Sequence, residues 1–125
     1  MSEPFTLSGI LYRVGTAVAA WDDWPWAPFR DGVDACWLHQ SDGTTGASAL
    51  LRYQPGARVP LHEHPDVEHI LVLSGSQADD RRVYEAGDVA IQPPGSRHAV
   101  ASADGCVVLA IWARPVQMVD ASKPE

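Results

Sequence analysis

The sequence predicts an all-β protein built as a sandwich or barrel of short strands, and three observations carry that prediction. Apolar or alternating segments of five to nine residues recur along the chain. No window sustains the three-to-four spacing of a substantial helix. Ten prolines and ten glycines fall mainly between the segments, where they supply turns without breaking a hydrogen-bond ladder. Many short strands with frequent turns are the signature of a sandwich or barrel.

Taken in order, the expected strands begin with 34–40 (DACWLHQ) and 46–54 (GASALLRYQ), separated by the turn-rich SDGTT. The next, 57–62 (ARVPLH), follows Pro55 and Gly56, and 67–74 (VEHILVLS) runs from the Pro65 break to Gly75. Two short segments follow, 81–85 (RRVYE) and 88–92 (DVAIQ), the second closed by Pro93-Pro94-Gly95. The last are 97–102 (RHAVAS) and 106–113 (CVVLAIWA). Two stretches, 70–74 and 107–112, are apolar at both parities, so both of their faces should be buried. One face packs the core. The other needs a cover, either the amino-terminal third of the chain or a second subunit, and a homodimer is the expectation.

A chain of 125 residues suits one domain with one core. Within it, residues 1–45 are read as amino-terminal strands with a Trp-rich cover, 46–115 as the barrel core and 116–125 as a frayed tail. A net charge of -7 with dispersed cations disfavours nucleic acid and anionic membrane surfaces as partners. No apolar run approaches the roughly 20 residues that span a bilayer. The stretch GILYRVGTAVAAW lacks the cationic start of a signal peptide and is interrupted by Arg13, so a cytoplasmic protein is expected. There Cys36 and Cys106 act as buried small hydrophobes rather than a disulfide.

The chemistry concentrates in PGARVPLHEHPDVEHILVLSG. Residues two apart on a strand share a face, so His62 and His64 project together, joined by Glu68 if the register resumes after Pro65. His69 has the opposite parity and faces away, while Glu63 and Asp66 are read as solvated charges. Imidazoles with one carboxylate suit several borderline divalent metals, which spacing alone does not separate. A second histidine, His98, follows the Pro-Pro-Gly turn.

These residues resemble the two motifs of the cupin superfamily. Gly56, His62, His64, Glu68 and Gly75 match the first motif at every spacing. Gly87, Pro93, Gly95 and His98 match the second, with Ser102 where the family has Asn. The resemblance covers about residues 46–113 and implies a single-domain double-stranded β-helix, a jelly-roll-like barrel. It also implies one divalent metal, Zn, Fe, Mn or Ni, held by His62, His64, Glu68 and His98. The segments WAPFRDGVDACWLHQ and YEAGDVAIQPPGSRHAVASADGC are similar to the cupin domain of ChrR-type anti-sigma factors, which implies zinc. In that group a helical domain contacts a sigma factor, and residues 1–45 lack the helical periodicity for one.

Two functions stay open. One is a metal-dependent dioxygenase for a small carbonyl, diketone or enol substrate, with Glu68 leaving the metal to accept a proton. The other is a zinc-binding sensor or regulatory module that binds a ligand without turnover. A sugar-nucleotide or ketose isomerase ranks last, because only Arg81 and Arg82 form a basic pair. Tyr53, Arg52, Gln92 and Trp112 are candidate pocket linings. WDDWPWAPF, residues 21–29, is read as a cover over a sheet face or interface rather than a pocket wall.

Overall fold

The structure, a computed structural model, describes residues 14 and 21–119. The remaining parts of the expected cover and tail lie outside the described residues. Ten strands form: β1 Ala27–Arg30, β2 Val33–His39, β3 Ala47–Tyr53, β4 Ala57–Glu63, β5 Glu68–Ala78, β6 Val83–Glu85, β7 Val89–Gln92, β8 Arg97–Ser102, β9 Cys106–Trp112 and β10 Gln117–Met118. Eight of them fall on the expected segments. The short β1 and β10 were not anticipated, and β10 pairs with His62 and Glu63 inside the segment read as tail.

All pairings are antiparallel, in the order β1-β2-β3-β9-β5-β8-β4-β10, with β6 and β7 also on β5. The long β5 is the joint. Its first half lies between β9 and β7, and its last residues pair with β6 and touch β8. One chain segment therefore serves two sheets, which curl over a shared core and make the all-β barrel that the turn pattern predicted.

Gly75 makes that bend possible. The expected segment 67–74 stops at it, but Gly75 lies within β5 at a positive φ of 70°. A Cβ there would sit 2.1 Å from the Gly105 carbonyl oxygen, so only glycine allows β5 and β9 to approach so closely.

Register explains the two-faced strands. On the inner face Leu51, Val108 and Val72 stand in one row, and Ala49, Ala110, Ile70 and Ala90 in the next. On the outer face Cys36, Leu50 and Leu109 align, and with Val107 they receive Trp21 and Trp24 from the preceding segment. The chain's own tryptophans thus supply part of the cover that had been expected from a second subunit. The outer face beyond them stays open, with Val89, Ile91 and Ile111 exposed.

Both cysteines are free and buried, as expected. Burial pushes the Cys36 thiol up to about 11 and raises that of Cys106 as well, so neither is a reactive thiolate at neutral pH.

Candidate metal centre

Three histidines converge between the sheets. His62 on β4 is paired directly with His98 on β8, and His64 continues the ladder just past β4, its N–H donating to the Ser96 carbonyl at 2.9 Å. Pro60 stands in β4 where the register shifts between Val59 and His62, a position that tolerates a residue without an N–H. Because of that shift the Pro60 carbonyl turns toward the His62 ring. The ligand atoms of His62, His64 and His98 all lie within 4.8 Å of one another, and all three residues are buried.

The outer nitrogens of the rings are committed. His62 Nδ1 lies 2.9 Å from the Pro60 carbonyl, His64 Nδ1 3.1 Å from the Ser96 carbonyl, and His98 Nδ1 3.0 Å from Asp79 Oδ2. Each of these oxygens is a pure acceptor, so each Nδ1 must carry the hydrogen and each Nε2 presents a lone pair. His64 Nε2 is buried with no hydrogen-bond partner among the described residues. An unsatisfied acceptor facing two like acceptors is costly to bury, and a cation placed between them removes that cost. The donor set therefore fits a divalent metal of the borderline class.

Glu68 comes from the opposite sheet. It heads β5 in a row with Trp112 on β9 and Gln92 on β7, and its Oε1 is 3.3 Å from His64 Nε2. It borders the three-histidine group rather than belonging to the set of mutually close ligand atoms.

Burial is the largest cause lowering the pKa of His62, and its neighbours His98 and His64 add to it, so the ring favours its neutral, ligating form. Asp79 shows the reverse balance. Its side chain is 1% exposed, which alone would raise its pKa. Hydrogen bonds from His98, the Arg81 and Arg82 backbone and the Tyr84 hydroxyl outweigh burial and hold the carboxyl well below the usual range. Sequence reading missed Asp79, because ADDRR reads as a solvated turn and no spacing ties it to His98, nineteen residues away.

A cavity of about 160 Å³ opens beside the histidines. Phe29, Trp37 and Trp112 form one wall, their ring centroids 5.6–6.2 Å apart. Tyr53, Gln77 and Gln92 add polar groups, and His62, Glu68 and His98 reach it from the histidine cluster. Burial raises the Tyr53 phenol, with Cys106 and Glu68 adding to the effect and Arg30 opposing it.

Of the four candidate linings, Tyr53, Gln92 and Trp112 are on the wall. Arg52 is not. It lies on the outer face, over the Trp26 ring and beside Asp22 and Asp34, because its register partners, Asp34 and Val107, face outward. The aromatic segment divides likewise: Trp21 and Trp24 cover the sheet, whereas Phe29 enters the cavity. His69, facing away as expected, is cross-strand from the exposed Ile91 and Ile111. Glu63 and Asp66 are half-buried and ion-paired with Arg97 and Arg114. Ser102, in the place of the motif's Asn, is fully buried and donates to the Ser76 carbonyl at 2.6 Å, tying β8 to β5.

The sequence matches the family described as ChrR cupin-like domain over residues 14–116. No curated protein matches it. Among solved structures, it is similar to a chain of the Rhodobacter sphaeroides complex of SigE with the anti-sigma ChrR. Identity there is 28%, 73% of this chain and 50% of that chain are covered, and the TM-score is 0.65. An RmlC-like cupin from Ralstonia eutropha is similar at 20% identity, with 95% and 80% covered and a TM-score of 0.71. An acetylacetone dioxygenase from Acinetobacter johnsonii is similar at 15% identity, with 79% and 74% covered and a TM-score of 0.72. The last two likenesses establish the fold. The chain spans half the length of the ChrR-complex chain that it matches.

Proposed function

Since the chain belongs to the ChrR cupin-like domain family, we propose that it holds one divalent metal through His62, His64, His98 and Glu68 and acts on a small carbonyl, diketone or enol compound as a dioxygenase. The observation that carries this reading is the apolar cavity of about 160 Å³ with His62, Glu68 and His98 on its wall. A purely structural metal needs no such space beside it. A metal held by these residues would supply Lewis-acid polarisation of a substrate oxygen and the redox chemistry of dioxygen.

The chain's own residues do the rest. The Nδ1 bonds to Pro60, Ser96 and Asp79 fix the three rings. Glu68 accepts a proton at a carboxylate oxygen from the acidic carbon of the substrate. The aromatic wall excludes water and packs the apolar part of the substrate. Buried free thiols suit a reducing compartment, the cytoplasm, and a second copy of the chain covers the open sheet face around Ile91 and Ile111.

The family membership supports a second reading, a zinc-binding sensor or regulatory module without turnover, in which the same four ligands close around the ion. Elemental analysis of protein purified without added metal, followed by oxygen uptake with a panel of diketones and enols, separates the two. Redox-active iron with substrate-dependent uptake establishes the oxygenase. Stoichiometric zinc with no uptake eliminates the oxygenase.

A further inference from the structure

β1 carries an irregularity that changes what the cavity can bind. Its pairing with β2 runs Ala27 to Ala35 and Pro28 to Asp34, then shifts so that Arg30, not Phe29, is opposite Val33. Residues directly opposite each other in an antiparallel pair point to the same face. Val33 is buried in the inner core and lines the cavity, so the bulge turns Arg30 inward as well. Phe29, next to it, packs on Trp37 and Trp112 inside. Two consecutive residues thus address one cavity, which regular alternation forbids and a bulge permits.

The consequence is a half-buried guanidinium 4.8 Å from the Phe29 ring centroid, on the wall of an otherwise apolar chamber. Arg30 and Glu68 are the residues on that wall, among those described, with permanently or ordinarily charged side chains. No ion pair joins them, and Arg30 has no carboxylate within ion-pair distance among the described residues. Arg52 on β3, by contrast, has Asp22 and Asp34 beside it. A charge turned toward an apolar space without a counter-charge is unfavourable unless something else supplies it. The metal side does not, because a divalent ion among neutral imidazoles and one carboxylate keeps a net positive charge. The buried Nε1 of Trp112, without an acceptor among the described residues, adds an unused donor on the same wall.

We propose that the ligand of this cavity is a small organic anion, a carboxylate or enolate with a short apolar group, whose charge is matched by Arg30. Its oxygen donors face the metal and the guanidinium fork, and its apolar part lies against Phe29, Trp37 and Trp112. The room available is that of a benzene-sized group, since a cavity of about 150 Å³ accepts benzene. Arg30 selects charge and does not take part in holding the metal. The inference rests on the metal site described above and narrows its ligand class.

The test titrates metal-loaded protein with two matched pairs of probes, following tryptophan fluorescence and calorimetry. Ketoisovalerate is compared with its neutral methyl ester, and acetylacetone with its gem-dimethyl derivative, which lacks the acidic central C–H and cannot form the delocalised diketonate. Metal content and thermal melting are recorded for the parent, Arg30→Gln and Arg30→Lys. At least one anion is expected to bind more tightly than its neutral counterpart. Arg30→Gln should weaken that anion by about tenfold to a hundredfold, the range of a lost charge-assisted hydrogen bond. Arg30→Lys should retain part of the preference, and metal content should not change. Which pair responds identifies the carboxylate or the enolate as the source. Equal binding of charged and neutral probes, no binding of either anion, or an anion affinity indifferent to Arg30→Gln in folded, metal-loaded protein overturns the inference. A parent protein that takes up no metal overturns the site itself, a separate result.

Discussion

At the scale of single residues, the three imidazoles are held in one tautomer by oxygen acceptors, and one of those acceptors is a buried carboxylate. Asp79→Asn keeps the shape of that contact and removes its charge. It should lower metal affinity by about 10–100-fold, the usual effect of losing such an outer partner, with no loss of β-sheet signal. Chelator competition measures it, and an unchanged affinity would show that Asp79 only caps its own turn. The same residues set the pH dependence of the metal-free protein. His62 resists protonation when folded, whereas an unfolded histidine takes a proton near 6.5. The unfolded chain therefore binds more protons below that pH, so stability falls as pH drops through about 6.5 and is indifferent to this group above it. Asp79, with a depressed folded pKa, contributes stability above about pH 4 that is lost on further acidification. Urea midpoints of chelator-treated protein from pH 3 to 8 should show both losses, and His62→Asn should remove the upper one. The three histidines that the structure brings together, and Glu68 at their border, were legible in the sequence because a period-two strand puts His62 and His64 on one face and the motif spacing supplies Glu68 and His98. Asp79 and Arg30 were not. The first acts across nineteen residues from a polar loop, and the second depends on a bulge that strand alternation gives no sign of.

At the scale of elements, the eight longer or bounded strands could be read from turn chemistry, and the two missed ones show where that reading ends. β1 has four residues and β10 two, too few for a periodic signal, and each exists because a neighbouring strand offers it an edge. The role of Gly75 was also hidden. The motif marks it as a glycine, but only the fold shows that it bends a continuous strand under the Gly105 carbonyl. Gly75→Ala combines a positive φ with a steric clash and should destabilise the protein by about 1–3 kcal/mol or more. Gly87→Ala is the comparison: it shares the positive φ but meets nothing within 4 Å, so it should cost less. Denaturant unfolding of the two variants decides, and equal losses would mean that the close approach of β5 and β9 is not tight.

At the scale of the molecule, the apolar outer strands predicted a cover, and the preceding segment supplies one part of it. Trp21, 1% exposed against Cys36, Leu50 and Val107, belongs to the chain itself. Trp21→Ala should cost about 3–5 kcal/mol, as for other large core truncations, without altering metal content, since it lies on the far side of the sheet from the histidines. The rest of the face, with Val89 at 61%, Ile91 at 59% and Ile111 at 46% exposure, is where a second copy is expected to pack. Light scattering should give a dimer for the parent and a monomer for Ile91→Asp with Ile111→Asp. A parent that remains monomeric at high concentration would remove that part of the account. Sequence could announce that both faces were apolar, but not how far the preceding tryptophans reach across them.

The whole account turns on one ion gripped by His62, His64, His98 and Glu68. The most direct measurement is metal stoichiometry per chain after equilibration and desalting, on the parent and on His62→Ala, His98→Ala and Glu68→Gln. The expected result is one divalent ion per parent chain, none retained by either histidine variant, and weakened retention in Glu68→Gln. A folded parent that retains no ion, or a His98→Ala protein that retains it as well as the parent, would contradict the account.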